Sequence, residues 1–138
     1  MAKKIIVVGL SRLGAGIADS LSAKGEEVIA YDINEEAFKK LSDSFSGYQI
    51  IGDATDFELL EKNNIRSAKQ VVVTTDNDNT NIFVAHVCYY LYGIKNVIIR
   101  LNDIEKKVLI EGTSIKALFP YDLSVERYKE ISLKQEAN

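Results

Sequence analysis

Short runs of β-branched residues alternate along the chain with longer stretches in which apolar positions recur every three to four residues. Runs of the first kind predict strands, and stretches of the second kind predict amphipathic helices. Strands that are separated by helices pair in parallel through right-handed crossovers, so the alternation predicts an α/β fold. The predicted strands are Lys4–Gly9, Glu27–Asp32, Tyr48–Gly52, Gln70–Thr74, Asn96–Leu101 and, from a weaker pattern, Lys116–Phe119.

Two of these strands are apolar at every position rather than at alternate ones. Ile5-Ile6-Val7-Val8 and Val71-Val72-Val73 have the pattern of central strands that are covered on both faces. The order of elements predicts a Rossmann-type, doubly wound sheet of six parallel strands, in the order 3-2-1-4-5-6, with helices on both faces. No linker, repeat or low-complexity segment interrupts residues 1–138, which are therefore expected to form one domain. Such sheets bind ligands beyond the carboxyl ends of their strands, where the first and fourth strands diverge.

The helices carry start and stop signals of their own. Leu13, Ile17 and Leu21 recur at a spacing of four and are expected to face the sheet, and Gly25 is expected to end that helix in a left-handed conformation. The start signals of later helices are the N-cap Asn34, a capping box of Thr55 with Glu58, a cap at Asn102 or Asp103, and Pro120-Tyr121-Asp122.

Composition narrows the class of protein. The chain is 46% hydrophobic and 27% charged, as in soluble globular proteins. Its net charge of −3 argues mildly against nucleic-acid binding, because no basic cluster is present and Lys39-Lys40 and Lys106-Lys107 are isolated pairs expected on solvated helix surfaces. The single Cys88 fits a reducing compartment, and the longest apolar run, Ile82–Ile94, is too short to span a bilayer. A soluble, cytoplasmic protein without a signal peptide is expected.

The turn Gly9-Leu10-Ser11-Arg12-Leu13-Gly14 follows a predicted strand and opens a predicted helix. Gly9 permits a tight turn, Gly14 lets the helix approach the strand, and free N–H groups at the helix start can hold a phosphate. Asp32, at the end of the second strand, is placed to accept hydrogen bonds from ribose hydroxyls and would repel the 2′-phosphate of NADP. The alternative is a structural turn that binds no ligand.

Two side chains within this turn each allow two interpretations. Ser11 stands where the dinucleotide fingerprint has glycine, so it takes up room near a pyrophosphate, although its hydroxyl could donate to a phosphate oxygen. The guanidinium of Arg12 suits a terminal phosphate; the alternative is a surface arginine paired with Asp19 or another acid.

Further candidates lie at the ends of later strands. Asp53 is expected either to meet the adenine amino group or to fix its loop, whereas Thr55 is expected to be a cap. The polar run from Asp76 to Asn81 is not a calcium loop, because Asn81 and Val87 occupy the positions where an EF-hand needs glycine and glutamate. We expect this run to line the ligand crevice and to cap the next helix, with Thr74 and Thr75 as contacts.

The segment from Ile82 to Tyr92 is apolar on nearly all sides, which favours an oligomer interface over a purely internal helix. His86, the only histidine, lies within it without a second histidine or an acid nearby on the helix. We therefore expect His86 to be a packing or interface residue rather than a catalytic or metal-binding one.

Together these features resemble the N-terminal nucleotide-binding domain of bacterial and archaeal potassium-conductance regulators, the TrkA/KtrA-type subunits and the RCK domains of potassium channels. The resemblance runs from Lys4 to about Leu133. The pairing of the glycine turn with the later motifs is more specific than the turn alone. The segments that carry it are Gly9 to Gly14, Tyr31-Asp32, Gly52-Asp53-Ala54-Thr55, Thr75 to Asn81 and Arg100.

The resemblance implies a regulatory domain that binds ATP, ADP, AMP or NAD(H), forms dimers and then a ring, and gates a membrane-embedded potassium transporter or channel from the cytoplasmic side. The second, C-terminal RCK domain is absent from these 138 residues. The alternative is a small NAD-dependent oxidoreductase, although this sequence shows no evident general acid or base and no substrate domain. The expected nucleotide contacts are Gly9, Ser11, Arg12, Leu13, Gly14, Asp32, Asp53, Ala54, Thr74, Thr75 and Arg100.

Overall fold

The computed structural model describes residues 3–137 and contains one six-stranded sheet. All five strand pairs are parallel, and the order across the sheet is β3-β2-β1-β4-β5-β6. This confirms the predicted Rossmann-type fold and its strand order. The strands are β1 Lys4–Val8, β2 Val28–Asp32, β3 Tyr48–Ile51, β4 Ala68–Val73, β5 Val97–Arg100 and β6 Lys116–Leu118.

Helical segments connect the strands on both faces. Asn34 and Asp103 cap the segments that follow them, as predicted, and Gly25 is left-handed with φ 86°. The predicted capping box was wrong, because Asp56 caps the helix there by accepting from the amide of Glu58. The α-helices are α1 Arg12–Ala23, α2 Phe57–Lys62, α3 Asp78–His86 and α4 Pro120–Ala137; 3₁₀ helices span Glu35–Lys40, Ile65–Ser67 and Ile104–Ile110, and a π-helical turn spans Val87–Leu91.

The core lies on both faces of the two central strands. In β1, Ile6 and Val7 have no exposed surface, and in β4 the same holds for Val71 and Val73. Ile6 belongs to the hydrophobic cluster on one face and Val7 to the cluster on the other, as their alternation along the strand requires. Continuous apolar runs therefore mark the central strands, as predicted.

Helix α1 packs on the sheet through small residues together with two of the three predicted apolar residues. Gly14, Ala15 and Ala18 are its buried residues, whereas Leu13, Ile17 and Leu21 are only partly buried. Ile17 and Leu21 pack against the hydrophobic cluster on that face, as predicted, and the small side chains bring the helix axis close to the strands. The close approach of this helix fixes the position of the turn that precedes it.

Tyr31 in β2 has no exposed surface, and its hydroxyl has no hydrogen-bond partner within residues 3–137. Burial, together with the nearby thiol of Cys88, raises the pKa of Tyr31 to about 12. Burial likewise raises the pKa of Cys88 to about 12. Both groups are therefore held neutral inside the fold.

We expect Tyr31→Phe to raise the free energy of unfolding by about 1 kcal/mol at pH 7, because an unpaired buried hydroxyl costs roughly that much. Because the pKa of Tyr31 rises from 10.0 to about 12 on folding, the wild type loses free energy of unfolding as the pH rises through that interval. The variant lacks this contribution and keeps that of Cys88, so its loss should be smaller. Urea denaturation at pH 7 and at pH 11 measures both effects. Tyr48→Phe, at a side chain that is 63% exposed, is the neutral control. A less stable Tyr31→Phe at pH 7 would contradict the prediction.

Helix α4 differs from the other elements because none of its 18 residues is buried. Large apolar side chains are nevertheless exposed along it, namely Tyr121, Leu123, Val125, Tyr128, Ile131 and Leu133. Within residues 3–137, the helices are each too short or too polar to cross a bilayer.

Candidate functional site

A cavity of about 580 Å³ lies beyond the carboxyl ends of β1 to β4. Four chain segments form its walls, one after each of these strands. This is the position expected for a ligand in a doubly wound sheet. The lining residues are Val8, Gly9, Leu10, Ser11, Tyr31, Asp32, Ile33, Asn34, Ala37, Lys40, Gly52, Asp53, Ala54, Thr55, Thr75, Asp76, Asn77 and Thr80.

The glycine turn is held tightly against the end of β4. Gly9 has φ 90°, and a Cβ there would lie 2.6 Å from the amide nitrogen of Thr75. A Cβ at Gly14 would overlap the carbonyl oxygen of Gly9 and the hydroxyl of Thr74. The Thr74 hydroxyl donates to the Gly9 carbonyl at 2.8 Å and is fully buried. Thr74 thus holds the turn and does not line the cavity.

Ser11 serves as the N-cap of α1. Its hydroxyl donates to the carbonyl of Thr74 at 2.8 Å and accepts from the amide of Gly14 at 3.2 Å. The one hydroxyl proton is used within the fold, contrary to the expectation that it is free for a phosphate. Its backbone, at φ −63° and ψ 174°, is extended and does not require glycine. The side chain therefore ties the start of α1 to the residue that follows β4.

Three backbone amides at the start of α1 are available to an anion. The first N–H groups of a helix have no intrahelical partner, and here only that of Gly14 is satisfied by the cap. The amides of Ser11, Arg12 and Leu13 have no hydrogen-bond partner within residues 3–137. The first turn of α1 also carries no acidic residue, so the helix dipole remains uncompensated there.

The carboxylate of Asp32 is already oriented by the backbone. One oxygen accepts from the amide of Leu10 at 2.7 Å, and the other accepts from the amide of Asn34 at 2.8 Å. Each oxygen of a carboxylate can accept a further hydrogen bond. Asp32 therefore links the glycine turn to the end of β2 and retains capacity for two hydroxyl donors.

Asp53 fixes the loop after β3. Its Oδ1 accepts from both the amide of Thr55, at 2.9 Å, and the Thr55 hydroxyl, at 2.7 Å. Its Oδ2 has no hydrogen-bond partner within the described residues. Asp53 thus fixes its loop, which is one of the two roles expected for it, and its Oδ2 remains able to accept from a ligand.

The polar run after β4 divides between the cavity and the scaffold. Asp76, Asn77 and Thr80 line the cavity, and Asn77 caps α3 by accepting from the amide of Thr80 at 3.0 Å. Asp78 instead accepts from the amides of Asn102 and Asp103, at 2.8 and 2.9 Å.

Asn81, fully buried, completes this scaffold. Its amide donates to the carbonyls of Thr75 and Arg100, at 3.1 and 2.9 Å, and its Oδ1 accepts from the amide and hydroxyl of Thr75. The run therefore ties the ends of β4 and β5 together. Among residues 3–137, no group of three or more His, Cys, Asp or Glu side chains is placed to hold a metal ion.

Five expected contact residues do not line the cavity: Arg12, Leu13, Gly14, Thr74 and Arg100. The Arg100 guanidinium lies 3.5 Å from a carboxylate oxygen of Asp76 and 5.7 Å from the ring centre of Tyr121 on α4. Arg12 is exposed, and its considered partner Asp19 accepts instead from the amide of Ser42, at 3.1 Å to both oxygens.

His86 also lies outside the cavity lining. Its Nε2 is 2.7 Å from the carbonyl oxygen of Leu109, and its ring packs edge-on against Tyr90. These are packing contacts between α3, the π-helical turn and the 3₁₀ helix Ile104–Ile110.

The sequence reasoning missed four lining residues after β2: Ile33, Asn34, Ala37 and Lys40. Asn34 was read only as a cap, and Lys40 only as part of a solvated pair. A usable signal was their position, because the segment that follows a ligand-binding strand end folds back over the same edge of the sheet.

A doubly wound sheet with a glycine turn after its first strand defines a Rossmann-type domain. Residues 5–119 match the family described as TrkA-N domain. The chain belongs to this family, the N-terminal domains of TrkA/KtrA-type potassium-uptake regulators.

Relatives of the chain are named as potassium uptake proteins. It is 32% identical over 123 residues to the Trk system potassium uptake protein TrkA homolog of Pyrococcus horikoshii, covering 88% of this chain and 54% of that protein. It is 32% identical over 111 residues to the Ktr system potassium uptake protein C of Bacillus subtilis, covering 79% of this chain and 49% of that protein. The chain thus spans about half the length of these relatives.

Solved structures share the fold. The GsuK channel bound to NAD superposes with TM-score 0.82 at 23% identity, over 98% of this chain and 24% of that one. GsuK bound to ADP gives TM-score 0.77 at 24% identity, over 94% and 33%. The Kef C-terminal domain of Shewanella denitrificans, in its AMP-bound form, gives 0.75 at 21%, over 98% and 82%.

Proposed function

We propose that this domain binds an adenine nucleotide (ATP, ADP, AMP or NAD(H)) and acts as the regulatory, cytoplasmic part of a potassium uptake system or channel. The main support for nucleotide binding is a set of three unpaired amides at the start of α1, which begins at the wall of the cavity that Ser11 and the oriented carboxylate of Asp32 line. Similar structures with NAD, ADP and AMP, and relatives named for potassium uptake, support the proposal.

Each part of the nucleotide has a counterpart in the cavity. The amides of Ser11, Arg12 and Leu13 would hold a phosphate at the positive end of the helix dipole. Asp32 would accept from the ribose hydroxyls. The loop that contains Asp53 and Ala54 would lie along the base, with Thr75 on the opposite wall. Gly9, Gly14 and Thr74 contribute indirectly, since they hold the turn in place.

A non-catalytic role accounts better for these residues than an oxidoreductase does. His86, a common type of general acid or base, is bonded to the Leu109 carbonyl and does not line the cavity. We therefore propose a binding domain in which ligand occupancy shifts the arrangement of partner subunits, by as much as its affinities for the two arrangements differ. Robust NADH oxidation in a screen of simple carbonyl substrates would favour the enzyme instead.

We also propose that the domain forms dimers, and then a ring, on a membrane-embedded potassium transporter or channel subunit. Phe83 on α3 and Tyr90 and Leu91 on the π-helical turn are 44%, 68% and 52% exposed. They lie on the segment whose apolar pattern predicted an interface, and helix α4 adds a second exposed apolar surface. Both surfaces would be covered in an oligomer.

A thermal-shift series with ATP, ADP, AMP, NAD and NADH tests the nucleotide proposal. A ligand at 100 times its dissociation constant adds about 2.7 kcal/mol, which raises the melting temperature by several degrees in a domain of this size. UTP and CTP serve as controls for phosphate binding without adenine. If no adenine nucleotide shifts the transition at millimolar concentration, the proposed function is wrong.

A further inference from the structure

The cationic side chains of Arg12 and Lys40 have no role in the nucleotide contacts proposed so far. Lys40 lines the 580 Å³ cavity and also a second cavity of about 440 Å³. The other residues that line the second cavity are Arg12, Ala15, Gly16 and Asp19. The two cavities therefore adjoin at Lys40.

Neither cation has a carboxylate partner within residues 3–137. The neighbouring Lys39, by contrast, forms an ion pair with Glu36 at 2.6 Å. Asp19 accepts from the amide of Ser42 with both oxygens, so the backbone satisfies its charge in part. A guanidinium and an ammonium on one cavity, both without a carboxylate partner, are groups that bind phosphate.

The second cavity lies on the β2 side of the glycine turn. Its walls are the first two turns of α1 and the end of the 3₁₀ helix Glu35–Lys40, which follows β2. Strand β4 flanks β1 on the other side, and the wall there carries Asp76. Lys40 lies at the end of the segment that follows Asp32, the carboxylate proposed to accept from the ribose. The shared Lys40 therefore puts the second cavity on the ribose side of the nucleotide cavity, and Arg12 puts it beside the start of α1.

We propose that Arg12 and Lys40 form a subsite for a second phosphate, carried on the 2′ or 3′ position of the ribose of the bound adenine nucleotide. The proposal rests on the proposed nucleotide function and extends it to NADP-type ligands, if the phosphate is on the 2′ position, or to 3′-phosphoadenosine ligands. Asp32 then accepts from the remaining ribose hydroxyl. Its negative charge alone argues against a ribose phosphate, but the two positive charges on the adjoining wall offset it together with that of Asp19, whose oxygens accept from the Ser42 amide.

Isothermal titration calorimetry with four nucleotides tests this subsite in the full chain. They are 5′-AMP, 5′-ADP, adenosine 2′,5′-bisphosphate and adenosine 3′,5′-bisphosphate. We expect one bisphosphate to bind about tenfold more tightly than 5′-AMP, a gain of the size that two partly exposed ion pairs provide. It should also bind more tightly than 5′-ADP, which carries the same number of phosphates. The tighter of the two bisphosphates identifies the position of the phosphate.

Variants assign the gain to the two cations. In Lys40→Gln and in Arg12→Gln we expect the preference for the bisphosphate over 5′-ADP to fall to about twofold or less. Lys39→Gln removes the same charge one residue away, at a side chain that is paired with Glu36 and does not line either cavity. It should keep the full preference.

Two results would overturn the subsite alone. One is binding of 5′-AMP with no preference for either bisphosphate, or with a preference that survives in both variants. The other is a preference for 5′-ADP that Arg12→Gln removes, which would assign Arg12 to the phosphate chain, as the sequence led us to expect. Failure of all four nucleotides to bind would overturn the proposed function together with the subsite.

Discussion

Replacing Gly14 with alanine is expected to lower the free energy of unfolding by about 3 kcal/mol, the upper end of what an overpacked site costs. The added methyl group would overlap two groups, the Gly9 carbonyl oxygen and the Thr74 hydroxyl. The Gly9 carbonyl belongs to the backbone of the turn, so relief requires α1 to move away from the sheet. That movement would open the contacts of Ala15 and Ala18 as well.

Gly16→Ala is a matched control on the same helix. A Cβ at Gly16 meets nothing within 4 Å. Because glycine inside a helix costs about 0.5–1 kcal/mol relative to alanine, this variant should be as stable as the wild type or slightly more so. Urea denaturation followed by circular dichroism compares the two substitutions. Equal stability of the Gly14→Ala and Gly16→Ala variants would show that the close approach of α1 does not stabilise the fold.

Asp32→Ala is expected to weaken binding of every ribose-containing nucleotide by about 100-fold. Hydrogen bonds to a charged acceptor contribute about 1.5–3 kcal/mol each, and the substitution removes up to two of them. It also removes the acceptor that the Leu10 amide uses, and so loosens the turn that holds the phosphate. Calorimetric titration with 5′-AMP and NAD measures the loss.

The exposed Asp43, in the loop after the 3₁₀ helix Glu35–Lys40, provides the control for net charge. Asp43→Ala should leave both affinities within about twofold, because the side chain does not line the cavity. Circular dichroism establishes that Asp32→Ala remains folded. An unchanged affinity in a folded Asp32→Ala variant would show that the ribose does not bind to the Asp32 carboxylate.

The features that could be predicted from sequence are those that local chemistry determines. Continuous apolar runs identify β1 and β4, and the element order then implies the whole strand order. The glycine turn could be located for the same reason, since Gly9 requires a positive φ and Gly14 a close approach.

Features that depend on neighbouring elements could not be predicted. Hydrophobic periodicity located Ile17 and Leu21 but not the small residues of α1 that are buried more deeply, because it does not measure how close a helix lies to a sheet. The Arg100 guanidinium lies close to Asp76 and Tyr121. Lys40 lines the cavity because the segment after β2 folds over that edge of the sheet. Both placements are set by packing between segments that are distant in sequence.

Because α4 is exposed to solvent, packing within the fold does little to stabilise its helical state. Tertiary packing supplies most helical stability in proteins, and none of the 18 residues of α4 is buried. Among its described side chains, Tyr121 reaches back to Arg100, while the rest extend over about 27 Å without burial. If the proposed oligomer covers α4, the helical far-ultraviolet signal should therefore increase with protein concentration.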